Sequence, residues 1–181
     1  MKSQWPQKNE REKFEILEFI SAYSQLPHGR TFVIDSKQEM PDYFLKDSRT
    51  GEIYAVELTS VYINDRSVPD EHMKPINGWE EIPDDPIALE KHNQKLIEII
   101  KTKVKKARKQ YDTSHPLILA VYINEYITIY MEEGDWEELE IANEHVFNDM
   151  APFTEIVLLN LGKIKAKSIF PKRDQRSIKS T

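Results

Sequence analysis

The sequence predicts an α/β fold, a mixed central β-sheet flanked by helices, and three observations lead there. Two long stretches place apolar residues at helical spacing, several short runs are β-branched or aromatic, and the two kinds of segment alternate along the chain. The predicted order is α-β-β-β-α-β, followed by a C-terminal α-β.

Residues 10 to 25, EREKFEILEFISAYSQ, set Ile16, Phe19, Ile20 and Tyr23 on one helical stripe, which LPHG ends. TFVID at 31 to 35, DYFLKD at 42 to 47 and IYAVELTSVY at 53 to 62 have the composition of strands. SRTGE, with Gly51, lies between the last two and has the chemistry of a tight turn, so those strands should form a hairpin. Residues 63 to 86 contain four prolines and little periodicity, which makes them a long loop and a candidate substrate loop carrying Trp79. From about 87 to 111, Leu89, Leu96, Ile100, Val104, Ala107 and Tyr111 recur at helical spacing. HPLILAVYIN at 115 to 124 is a buried central strand, YITIYM at 126 to 131 a candidate further strand, residues 135 to 149 a helix, and TEIVLLNL at 154 to 161 another buried strand. The polar tail after Pro171 should be frayed.

A chain of 181 residues, 39% hydrophobic, suits a single domain over 1 to 181: a core at about 10 to 124, an extension at 125 to 171 and the tail at 172 to 181. No apolar run approaches the roughly 18 to 20 residues that cross a bilayer, and MKSQWPQKNEREK lacks the apolar segment of a signal peptide, so a soluble cytoplasmic protein without membrane contact is expected. The absence of cysteine excludes disulfides, thiolate zinc sites and cysteine nucleophiles, and leaves hard, oxygen-bound metals. A net charge of -6 argues against nucleic-acid binding by general electrostatic attraction but not against a local basic groove. KTKVKKARK at 101 to 109 and KRDQRSIKS near the C-terminus concentrate positive charge, while 132 to 149 is mostly acidic.

The five histidines show no i, i+4 pair for a helical zinc site, and five glycines leave no phosphate-cradling loop. Neither Ser60 nor Ser114 stands in a nucleophile elbow. The informative stretch is Glu39-Met40-Pro41-Asp42-Tyr43-Phe44, followed 15 residues after Asp42 by Glu57-Leu58-Thr59 on the neighbouring predicted strand. A hairpin brings such acids within reach of one cation. Glu57 lies inside an apolar run, where an uncompensated charge is expensive and a metal would compensate it.

This arrangement resembles the PD-(D/E)XK nuclease superfamily, the restriction-endonuclease-like fold, over roughly residues 10 to 124. That family's core is a helix, a three-stranded meander, a second helix and a further strand. Its first acid follows a proline, as in Pro41-Asp42, and its second opens an acid-X-lysine triplet, matched by Glu57-Leu58 and departed from at Thr59. The resemblance implies that Asp42, Glu57 and the Leu58 carbonyl hold Mg2+ or Mn2+. Some members supply the lysine from the following helix. At about 100° per residue, Lys103 falls on the edge of the apolar stripe beside Leu96 and Ala107, and Lys101, Lys105, Lys106 and Lys109 point further away. Lys103 is therefore the nominated cation, the alternative being a snorkelling lysine that covers the core edge. The family also often places a glutamate of its first helix at the site. Glu12 and Glu15 are the candidates, against the alternative of a solvated helix face; Glu18 lies opposite, and Glu39 has the same standing as the first two.

The activity implied is metal-assisted hydrolysis of nucleic-acid phosphodiesters, DNA being favoured over RNA, with a homodimer allowed by analogy. The alternatives are a catalytically inactive nuclease-fold protein serving as a binding or regulatory module, for which Thr59 speaks, and a protein that binds partners through the acidic segment.

Overall fold

The computed structural model describes residues 8–61, 86–112, 114–123, 132–160 and 165–170. Helix α1 (Lys8–Tyr23) precedes strands β1 (Phe32–Lys37), β2 (Tyr43–Asp47) and β3 (Ile53–Ser60). Helix α2 (Pro86–Gln110) and strand β4 (Leu117–Tyr122) follow, then helices α3 (Glu133–Ala142) and α4 (Glu144–Phe147), and finally strands β5 (Phe153–Asn160) and β6 (Lys165–Phe170). The loop expected at 63 to 86 with Trp79, except for Pro86, the candidate strand at 126 to 131, His72 and the tail after Pro171 all lie outside the described residues. Among the described residues no helix is long and apolar enough to cross a membrane.

The strands form one six-stranded mixed sheet in the order β1-β2-β3-β4-β5-β6. The β1, β2 and β3 strands are antiparallel neighbours, β3, β4 and β5 run parallel, and β6 returns antiparallel. Gly51, at φ 77°, supplies the left-handed residue in the turn from β2 to β3. The parallel step from β3 to β4 needs a crossover, and α2 lies within it. All six residues of β4 are buried, as expected of a central strand covered on both faces.

Strand alternation sorts the core into two layers. On one face Ala55, Leu117, Leu119, Val121, Ile156 and Leu158 pack against Leu96, Ile100 and Val104 of α2. On the other, Leu45, Val56, Leu58, Ile118, Ala120 and Val157 pack against Ile16, Phe19 and Tyr23 of α1. Glu57, two residues after Ala55, therefore faces α2.

Two features differ from the sequence expectation. The helix expected at 135 to 149 is divided at Asn143, whose backbone φ of -118° leaves the helical range and whose side-chain Nδ2 donates to the Leu139 carbonyl at 2.9 Å. Strand β6, KAKSIF, was not expected because its lysines and serine break the apolar signal. It lies at the end of the sheet, where an edge strand carries lysines at little cost.

Candidate active site

The hairpin register pairs Tyr43 with Val56, so the next position outward sets Asp42 beside Glu57. Phe44 and Ala55 pair two residues further in, and the pleat sends Asp42 and Glu57 toward the α2 face. Asp42 follows a cis Met40–Pro41 peptide. Its Oδ2 accepts a hydrogen bond from the Leu58 amide at 2.7 Å. Its pKa is raised from 3.8 to about 6, by burial first and by Glu57 second, while the Leu58 amide and Lys103 act in the opposite sense.

Glu57 is only 2% exposed. Its two oxygens have different surroundings. Oε1 accepts from Lys103 Nζ at 2.6 Å and lies 3.7 Å from Lys106 Nζ, whereas Oε2 is buried and makes no hydrogen bond of ordinary geometry among the described residues, the Tyr111 hydroxyl being close enough to Glu57 to interact with it. Lys103 Nζ also reaches the Leu58 carbonyl at 3.4 Å. The backbone of Leu58 is thus held on both sides, its N–H donating to Asp42 and its C=O accepting from Lys103.

Lys103 comes from α2, one turn beyond the buried Ile100 and one turn before the buried Ala107. The packing of that helix on the sheet carries the ammonium to Glu57. Thr59, half-buried on the same side of β3 as Glu57, carries no charge, and Lys103 delivers a cation to that acid from across the layer. Lys106 does not point away from the site as the helical projection suggested. A long side chain three residues after Lys103 sweeps a wide arc, and its ammonium reaches both the Glu57 oxygen and, at 5.2 Å, the ring of Tyr111. Lys101, Lys105 and Lys109 are exposed.

The two candidate glutamates of α1 are placed differently. Helix α1 covers the opposite face of the sheet, where the Glu15 side chain is buried and ion-paired with Arg11 at 3.7 Å. Glu12 lies nearer the edge, bound to Lys37 Nζ at 2.7 Å, and its charge contributes to raising the pKa of Asp42. Glu39 is exposed. By sequence Tyr111 is the last member of an apolar stripe, yet its hydroxyl adjoins Glu57. Only the polar tip of that residue type hinted at a second role.

The four described histidines are engaged or placed away from Asp42 and Glu57. His28 Nε2 pairs with Glu155 Oε1 at 2.6 Å on the α1 face, His115 stacks edge-on against Phe44, and His145 is exposed. His92 is fully buried, and burial lowers its pKa to about 4. A cleft of about 660 Å³ between α2 and α3, lined by Leu89, Asn93, Ile97, Leu139 and Asn143 among others, contains none of Asp42, Glu57 and Lys103.

The donor set accommodates a hard divalent cation. Among the described residues no three His, Asp or Glu side chains cluster, so those residues offer two carboxylates and the Leu58 carbonyl. Magnesium commonly takes one or two carboxylates and fills its remaining positions with water and substrate oxygens. Glu57 Oε2, which makes no hydrogen bond of ordinary geometry, is the position such an ion would satisfy. No protein-family model, curated protein or solved structure matches the chain.

Proposed function

We propose that this chain is a metal-dependent nuclease of the PD-(D/E)XK type, a cytoplasmic enzyme that hydrolyses phosphodiester bonds of nucleic acid, with DNA favoured over RNA as substrate. The observation that carries the reading is the divided environment of Glu57: one oxygen is held by the α2 lysine Lys103, the other is buried without a hydrogen bond of ordinary geometry, and Asp42 stands beside it across the hairpin. The element order from α1 to β4, with a meander followed by a helical crossover into a parallel strand, supports it as the family's core.

Asp42, Glu57 and the Leu58 carbonyl would hold Mg2+ or Mn2+, which supplies a more acidic bound water and neutralises charge on the scissile phosphate. The chain's own groups divide the remaining work. Glu57 orients the Lys103 ammonium, which stabilises negative charge growing on the phosphate or positions the attacking water. The Leu58 amide fixes the rotamer of Asp42. Lys106, with its side chain 38% exposed, can neutralise an approaching phosphate at the mouth of the site.

The inactive binding-module reading draws on the same ion pair, because Lys103 and Lys106 compensate Glu57 without a metal. One assay separates the two. Plasmid DNA and RNA are incubated with the wild type and with an Asp42→Ala, Glu57→Ala double variant, in Mg2+ or Mn2+ and in EDTA. The nuclease reading expects metal-dependent cleavage that falls at least roughly hundredfold in the variant. Equal cleavage by both proteins, or none by either, would contradict it.

A further inference from the structure

From Ile99 to Gln110, helix α2 carries five lysines, Arg108 and no acidic residue, in a chain whose formal net charge is -6. Three of these six cations are engaged: Lys103 and Lys106 with Glu57, and Arg108 with Asp149 and the Ala151 carbonyl. Lys101, Lys105 and Lys109 are exposed and form no ion pair among the described residues. Glu98, the acid nearest to them in sequence, is paired with Lys95 at 3.1 Å. The helix arranges the lysines in two rows. Lys103, Lys106 and Lys109 stand three residues apart on one ridge that opens steadily, with side chains 21% exposed at Lys103, 38% at Lys106 and fully in the exposed class at Lys109. That ridge leads from Glu57 to the surface. From Lys109, a second row runs back through Lys105 to Lys101 at four-residue spacing, each step about 6 Å along the axis.

The helix itself gains little from the second row. Its dipole favours cations in the last turn, which holds Arg108 and Lys109 but neither Lys101 nor Lys105. Like charges four residues apart repel, and no acid between 99 and 110 offsets them. A polyanion laid along the row would relieve that repulsion and release its own counterions. We infer that Lys101, Lys105 and Lys109 form a binding surface for the phosphate backbone of the nucleic acid, holding the strand that continues outward from the phosphate facing Lys106. This rests on the nuclease reading and deepens it by naming the surface on which the substrate lies. Contacts of this kind give affinity and orientation and carry no sequence preference.

The test compares the wild type, a Lys101→Gln, Lys105→Gln, Lys109→Gln triple variant, and a control triple of equal charge change, Lys13→Gln, Lys46→Gln, Arg49→Gln, whose exposed positions lie on α1, on β2 and in the β2–β3 turn. Binding of fluorescein-labelled duplex DNA, single-stranded DNA and RNA is followed by anisotropy in calcium from 50 to 200 mM salt, and melting is measured at low salt without nucleic acid. The α2 triple should bind the preferred strand roughly tenfold or more weakly at 50 mM salt. The slope of log affinity against log salt should become shallower by about two to three, close to one phosphate contact per lysine. It should melt no lower than the wild type, because the charges removed repel one another. An unchanged slope overturns the inference, and so does an equal loss in the control triple, which would make net charge the cause. A lowered melting temperature also overturns it, by assigning the row to the packing of the helix. If the wild type binds and cleaves nucleic acid while the α2 triple keeps its slope, this inference alone fails. If the wild type binds none of the three probes, the nuclease reading fails with it.

Discussion

Asp42 and His92 both pay for burial, but in opposite protonation states. Asp42, with a pKa raised to about 6, keeps a proton in the folded chain over a range where the unfolded chain has released it. Ionising it therefore costs stability as pH rises from about 4 through 6. His92, lowered to about 4, stays neutral where the unfolded chain takes up a proton, so its contribution is lost as pH falls from 6.5 through 4. The two act against each other in the wild type, and a substitution isolates one of them. In metal-free buffer, Asp42→Asn should be more stable than the wild type at pH 8, by roughly 2 kcal/mol once partial exposure is allowed for. The gain should disappear as pH approaches 4. Urea unfolding at the two pH values checks this, and a variant less stable than the wild type at pH 8 would show that the Asp42 carboxylate is relieved by groups within the chain.

Helix α2 has a structural face and a chemical edge, and substitutions should separate them. Ile100 is fully buried against the sheet, so Ile100→Ala should cost about 2 to 5 kcal/mol in urea unfolding and leave cleavage by the folded fraction largely intact. Lys103→Gln should do the reverse. Its amide and the nearby Lys106 still face Glu57, limiting the loss of stability, while cleavage falls by about 10² to 10³. Parallel changes of stability and activity in both variants would contradict this division. The stripe of α2 was readable because a 3.6-residue period marks a buried face directly. The reach of Lys106 was not, since a projection of Cα directions says little about where a flexible four-carbon side chain ends. Strand β6 and the break at Asn143 were hidden for related reasons: edge strands need few apolar residues, and a capping asparagine resembles any polar helix residue.

Across the molecule, the sheet converts a local hairpin into a site that no single element contains. The hairpin signal at Gly51 and the apolar setting of Glu57 make the meeting of Asp42 and Glu57 legible in the sequence. Their partners depended on layer packing: Lys103 and Tyr111 approach because α2 lies over the face to which Glu57 points, and Glu15 does not because α1 lies on the other. A first helix whose stripe is known but whose side of the sheet is not leaves its glutamates unassigned, and only the tertiary arrangement resolves them. The central claim is that this assembled pair of carboxylates holds a divalent cation. Calorimetric titration of Mn2+ into the wild type and the Asp42→Ala, Glu57→Ala double variant tests it most directly. Saturable binding by the wild type that is lost in a folded double variant is the predicted result; a wild type that binds no metal even with nucleic acid present, or a variant that binds it equally well, would contradict the account.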